Sequence, residues 1–288
     1  MQIRKLLVPV TGNDAGLPSL AAAFTVARRL GAHVEGLHAR RNARDALAYI
    51  GEGMTGAMIE ELITTAEEEG RALVERARHH FAEACEQAGF AQTPAVTPEG
   101  ASTACLVVET GREEDLIAQR GRVSDMIVIA RAEPDADVSG RGTLEAAMLE
   151  SGRPLFLVPP DGVVGELSSV AIAWNGSFEA SLAVSHALPI LTEAQRVTVI
   201  SIEEGSRPGP STDDLVSYLA WHGIDAGKHS LEPHNQSTGE ALLADAHQIG
   251  VGLLVMGAYT HSRLRRMILG SATGHMLDAA DIPVMLMH

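Results

Sequence analysis

Gly257, Gly270 and Ser271 are the residues whose spacing points most directly to chemistry, and that chemistry is anion binding. An apolar run over 253–256, suited to a buried strand, stops at Gly257. A loop carrying Arg263, Arg265 and Arg266 follows, and Gly270-Ser271 then opens a helix that runs through Leu277 and Ala280. The first N–H groups of a helix lack intrahelical acceptors, and the helix start carries about half a positive charge. A phosphate beside Gly270 and Ser271 would therefore be held by the backbone, with the arginines adding charge. The same residues also read as ordinary punctuation of a strand–loop–helix joint, and spacing alone leaves both readings open.

These residues resemble the universal stress protein family, whose nucleotide-binding members carry Gly-x2-Gly-x9-Gly-Ser/Thr between their fourth strand and last helix. Gly257 stands at the first glycine, Gly270-Ser271 at the closing pair, and Thr260 at the middle glycine. A β-branched residue resists positive φ and adds a side chain where the motif has none. The resemblance implies an adenine nucleotide such as ATP, with no metal beyond a nucleotide-associated Mg. It also implies a base-side group in the turn after the first strand, where the family often places aspartate and this chain has Asn175. The amide keeps one acceptor and adds donors, so it can bond an adenine edge, and it equally suits an Asx turn or a helix cap. The candidate ligand residues are thus Asn175, Gly257, Thr260, Arg263, Gly270 and Ser271.

Around that site the composition sets limits. A length of 288 residues suits about two domains, and a hydrophobic content of 45% can fill two cores. The net charge of −15 argues against nonspecific nucleic-acid binding and against anionic membrane surfaces, while a local basic loop can still take one small anion. Cys85 and Cys105 are too few for a disulfide framework or a zinc cluster, and the opening MQIRKLLVPV enters a strand directly, so a cytoplasmic protein is expected. No apolar run approaches the roughly 20 residues a membrane helix needs. His79 and His80 share one helix without the i, i+4 spacing of a metal face. Gly-x4-Gly-Lys-Ser/Thr and Gly-x-Ser-x-Gly are both absent from the sequence, which speaks against a phosphate-loop triphosphatase and a serine hydrolase.

The elements that must position the site occur twice. Strands are predicted over 3–10, 33–38, 104–110, 126–130 and 155–158, with helices over 17–30, 58–89, 112–120 and 144–150. Pro159-Pro160-Asp161-Gly162 then reads as a linker. The order resumes with strands over 170–174, 197–202, 227–231, 253–256 and 284–287, separated by helices over 181–191, 213–222, 239–249 and the one that Gly270-Ser271 opens. Parallel strands need crossover helices, and those crossovers are right-handed, so the pattern is α/β with two tandem doubly wound parallel sheets. The family resemblance covers nearly the whole chain and implies the Rossmann-like, adenine nucleotide alpha hydrolase-like form of that fold. It divides the chain into a first unit, 1–160, with a degenerate phosphate loop, and a second, 166–288, with a partial nucleotide motif.

The halves differ where a ligand would sit. Ala130 replaces Gly257, and Glu133, Asp135 and Asp137 replace the arginines, leaving Gly142-Thr143 to be read as a cap of the following helix. Any nucleotide is therefore expected in the second half alone, with its phosphates at Gly270-Ser271 and its base near Asn175 and the end of the 197–202 strand. Strands 155–158 and 284–287 are expected to meet antiparallel, making a pseudo-dimer within the chain, with a homo-oligomer also compatible. The function this implies is a stress-response binding protein with an adenine nucleotide as ligand. A non-nucleotide interaction protein is the second reading and a slow nucleotide hydrolase the third; the helical insertion over 45–90, with its acidic run Glu67-Glu68-Glu69, reads either as an amphipathic cover of the first sheet or as a surface for a protein partner.

Overall fold

Runs of Leu, Val and Ile bounded by Gly, Pro and Asn make short strands buried on both faces, which is how parallel sheets read in sequence. The computed structural model describes residues 2–42, 55–96, 102–131, 139–201, 209–231, 236–258 and 272–288. The strands are β1 (Lys5–Pro9), β2 (His33–Arg40), β3 (Ala91–Gln92), β4 (Thr103–Thr110), β5 (Met126–Ala130) and β6 (Leu155–Val158), then β7 (Ser169–Trp174), β8 (Arg196–Ser201), β9 (Ala226–Ser230), β10 (Leu253–Gly257) and β11 (Val284–Met287). The helices are α1 (Leu17–Leu30), α2 (Gly56–Ala88), α3 (Glu113–Gly121), α4 (Ser139–Glu150), α5 (Phe178–Leu191), α6 (Thr212–Trp221), α7 (Thr238–Ile249) and α8 (Ala272–Ala279). Ser211 with Asp214 and Ser237 with Glu240 form capping boxes at α6 and α7, which the Ser-x-x-acid spacing encodes directly.

The two doubly wound sheets join edge to edge through the expected pairing of their last strands, so the described strands run in the order β3-β4-β2-β1-β5-β6-β11-β10-β7-β8-β9. Within each half the strands are parallel and doubly wound. The halves join where β6 and β11 run antiparallel, with Leu157 opposite Val284, Phe156 opposite Met285 and Leu155 opposite Leu286. Pro154 and Pro283 begin these strands and accept symmetrically, Pro154 from the Ile127 N–H and Pro283 from the Leu254 N–H, each at 3.0 Å. A proline is harmless there because only its carbonyl is asked to bond.

Every residue of β6 and β11 is buried. Phe156, Val158, Met285 and Met287 point into one core layer with α1, α2, α5 and α6. Leu155, Leu157, Val284 and Leu286 point into the other with α3, α4, α7 and α8. Both layers are therefore continuous from one half to the other, and no polar seam separates them.

α2 is 33 residues long, about 50 Å at 1.5 Å per residue, against about 26 Å for the eight-residue β2 beneath it. Its buried residues, Ala77, Phe81 and Cys85, all lie in its carboxyl half. Phe81 fills the space left by Gly36, where a Cβ would come within 2.6 Å of the ring, and it packs with Phe24 at a centroid distance of 5.8 Å. The helix was expected to cover the first sheet; only that carboxyl half does so.

Phe156 is fully buried at the junction. Phe156→Ala is expected to lower the unfolding free energy by about 3–5 kcal/mol, measured by denaturant titration.

Candidate functional site

β7 and β10 are parallel neighbours, with Val170 beside Leu253 and Ala173 beside Met256. After β7 the chain turns to α5 on one face of the sheet, and after β10 it continues towards α8 on the other, so a crevice opens between their carboxyl ends. Asn175 and Gly257 come together at this crevice. Thr260, Arg263, Gly270 and Ser271, with Arg265 and Arg266, lie outside the described residues, as do Glu133, Asp135 and Asp137 of the first half.

The turn after β7 is held on several sides. Asn175 Oδ1 accepts from the Ser177 N–H at 3.1 Å, an Asx turn, and Ser177 Oγ caps α5 by accepting from the Ala180 N–H at 3.1 Å. Trp174 Nε1 donates to the Pro210 carbonyl at 3.1 Å, tying the turn to the segment before α6. Gly176 has φ 71°, and a Cβ on neighbouring Gly209 would sit 2.5 Å from the Gly176 carbonyl oxygen. With Oδ1 engaged, the NH2 group of Asn175 makes no hydrogen bond among the described residues.

Gly257 has a packing role whatever the crevice holds. A Cβ there would lie 2.5 Å from the Ala180 nitrogen and 2.7 Å from the Glu179 carbonyl carbon, so its missing side chain lets the first turn of α5 rest against the end of β10. At the equivalent position in the first half, Ala130 donates its N–H to Ser19 Oγ at 2.8 Å. The first-half turn is also covered. A Cβ on Gly12 would meet the Leu73 carbonyl oxygen of α2 at 2.4 Å, and Arg76 Nε donates to the Gly12 carbonyl at 3.1 Å.

One expectation is corrected. Gly142 and Thr143 do not cap a helix starting at 144, because α4 begins at Ser139 and both lie inside it. Thr143 Oγ1 instead donates to Glu113 Oε1 of α3 at 2.8 Å. Cap-forming residues carry a cap signal wherever they stand, and a neighbouring carboxylate took the hydroxyl.

Reasoning from the sequence did not single out Arg131. Its Nε donates to the Ala280 carbonyl at 3.0 Å and its Nη1 to the Asp278 carbonyl at 2.7 Å, at the end of α8 in the other half. The only signal available was Ala258 at the equivalent position of the second half.

Away from the crevice, Glu35 is 6% exposed and bridges Lys5 and Arg120, each at 2.9 Å, while Arg120 also holds Glu109 at 2.6 Å. Beside this network His33 Nε2 lies 3.4 Å from Cys105 Sγ, with His33 Nδ1 2.9 Å from Thr103 Oγ1. Burial lowers the His33 pKa and raises that of Cys105, so at neutral pH the pair is thiol and imidazole, the reverse of an activated thiolate. Burial also pushes the Cys85 thiol up to about 11. Among the described residues no group of three His, Cys, Asp or Glu is placed to hold a metal, and no helix is long and apolar enough to cross a membrane. A cleft of about 650 Å³ at the opposite, amino end of the strands is lined by charges of both signs, including Arg4, Arg29, Glu166 and Glu193, and has no single-sign character to select an anion.

Two outcomes are expected. Gly257→Ala destabilises by about 1–3 kcal/mol in denaturant titration, because backbone atoms of α5 cannot yield to a new methyl group cheaply. At pH 8 both cysteines react with iodoacetamide more slowly than free cysteine, and denaturation removes the difference.

No family model matches the sequence, and no curated protein does. Solved structures do match. A universal stress protein from Archaeoglobus fulgidus DSM 4304 aligns over 99% of this chain and 96% of its own, with a TM-score of 0.66 at 16% identity. A putative universal stress protein from Pseudomonas aeruginosa UCBPP-PA14 aligns over 99% and 93%, with a TM-score of 0.53 at 14% identity. A protein of unknown function from Pseudomonas aeruginosa PAO1 aligns over 99% and 92%, with a TM-score of 0.54 at 13% identity. Matched end to end and repeating one five-strand order in each half, with β3 added at the edge of the first, this chain has the universal stress protein fold in tandem.

Proposed function

We propose that this chain is a cytoplasmic stress-response binding protein, built of units 1–160 and 166–288, whose second unit binds ATP or another adenine nucleotide. The observation that carries the reading is the crevice between β7 and β10, where the Asn175 turn and the start of the Gly257-to-Ser271 motif converge at the switch point of a doubly wound sheet. Asn175 offers its NH2 group to the base, near the end of β8. Gly270-Ser271, directly before α8, offers backbone N–H groups to the phosphates, with Thr260 limiting close approach and Arg263 adding charge, and a Mg ion accompanies the nucleotide. The first half is not given a ligand, since α2 lies over its turn and its loop is acidic.

A non-nucleotide interaction protein is the second reading. It is favoured by the amino half of α2, where Met58 and Leu62 are 50% and 45% exposed beside Glu60, Glu61 and Glu67.

The full chain is the right material for the test, because β6 and β11 are each other's edge partners and separating the halves would bare both. Mass spectrometry of freshly purified, gently denatured protein is expected to release an adenine nucleotide, and calorimetry to show ATP binding. Gly270→Val is expected to weaken that binding at least about tenfold, equivalent to about 1.4 kcal/mol, with little change in melting temperature. A large fall in melting temperature with affinity intact would make Gly270 a packing residue. No co-purifying nucleotide and no ATP binding would favour the interaction protein.

A further inference from the structure

α8 is eight residues long, too short to hold itself together without support at its ends. Its sides are packed: Met276 and Leu277 are buried, and α7 approaches so closely that a Cβ on Gly239 would lie 2.5 Å from the His275 Cβ. Its carboxyl end is supported from the other half of the molecule. The Arg131 guanidinium spans the Asp278 and Ala280 carbonyls, and Arg141 of α4 pairs with the Asp278 carboxylate. Carbonyls at a helix carboxyl end have no intrahelical donor and carry the negative end of the helix dipole, so a guanidinium there supplies both missing donors and a complementary charge.

The two halves differ at this contact. Arg131 and Ala258 occupy equivalent positions, each donating its N–H at 2.8 Å to the last strand of its own half, Arg131 to Val158 and Ala258 to Met287. Alanine cannot reach the carboxyl end of α4. That end is closed within its own half, where Ser151 Oγ donates to the Ala147 carbonyl and Arg122 Nε to the Glu150 carbonyl at 3.3 Å. Arg131 therefore reaches from the first half to the carboxyl end of α8, and among the described residues its counterpart Ala258 makes no such contact with α4.

We infer that Arg131, assisted by Arg141, is a positioning residue that clamps α8 across the β6–β11 junction and thereby lets the first half set the ligand affinity of the second. Its effect on affinity rests on the nucleotide reading above. α8 spans about 12 Å at 1.5 Å per residue, so fixing its carboxyl end fixes where its amino end presents N–H groups to a phosphate. Loss of the clamp leaves the crevice chemically intact and misplaces one wall of it.

Hydrogen exchange over 272–280, read by mass spectrometry, and calorimetric ATP affinity test this on the full chain. Arg131→Met is expected to speed exchange in α8 about three- to tenfold and to weaken ATP binding by a similar factor, the scale of a lost helix-end charge interaction. The melting temperature should change little. Arg122→Met, which removes the corresponding contact on α4, is expected to leave both α8 exchange and ATP affinity as in the parent. If Arg131→Met fails to fold, Arg131→Lys gives the same comparison at smaller amplitude, since one ammonium retains the charge without spanning both carbonyls. Unchanged α8 exchange would overturn the clamp, and faster exchange with unchanged affinity would overturn its control of the site. If the parent binds no adenine nucleotide, the nucleotide reading and the control of affinity fall together, and exchange alone decides whether the clamp exists.

Discussion

The rest of the molecule depends on two four-residue strands that each need a neighbour. In a doubly wound unit the last strand leaves a row of N–H and C=O groups open, and in β6 and β11 that open edge is lined with Leu, Phe, Val and Met. Neither strand can face water cheaply, and pairing them antiparallel satisfies both edges at once. Because the side chains of a strand alternate, the same pairing feeds apolar residues from both halves into both core layers. The junction is thus a core and not a contact between finished domains.

A pairing of that kind relates the halves by a pseudo-twofold axis, and equivalent residues can then be compared as if they were a mutant series. At the end of the fourth strand of each half, Gly257 admits the start of α5, while Ala130 offers its N–H to a serine of α1. One residue further on, Arg131 reaches across to α8, whereas Ala258 stays buried at home. After the first strand, Gly12 lies beneath α2 and Gly176 beneath the segment before α6. Each difference is a single residue or one added helix on a shared frame. Together they leave the first-half turn packed under α2 and the Asn175 turn packed against the segment before α6.

The charges fit this division of labour. With a net charge of −15 the molecule as a whole repels anions, so the proposed anion site depends on local positive potential, for which the sequence offers Arg263, Arg265 and Arg266. The buried Glu35 shows the opposite use of charge. Held by Lys5 and Arg120, it keeps both its oxygens paired, and the neighbouring thiol and imidazole remain neutral beside it. That cluster fastens α3 to the sheet and presents no activated nucleophile.

The sequence by itself determined the elements and their order. Strands 126–130, 155–158 and 284–287 and helix 17–30 stand where the hydrophobic runs and their glycine or proline boundaries put them, and the duplicated pattern of apolar runs specified two doubly wound units whose last strands pair. These features are local, so residue type and spacing suffice. The structure decided what depends on residues far apart in the chain. Thr143 sits inside α4, where a carboxylate 30 residues away accepts its hydroxyl. Gly257 is required by the first turn of α5, which arrives from 77 residues earlier. Arg131 meets a carbonyl 149 residues distant. No periodicity encodes such meetings, since they exist only once the β6–β11 pairing and the crossovers have brought the ends of separate elements within a hydrogen bond of one another.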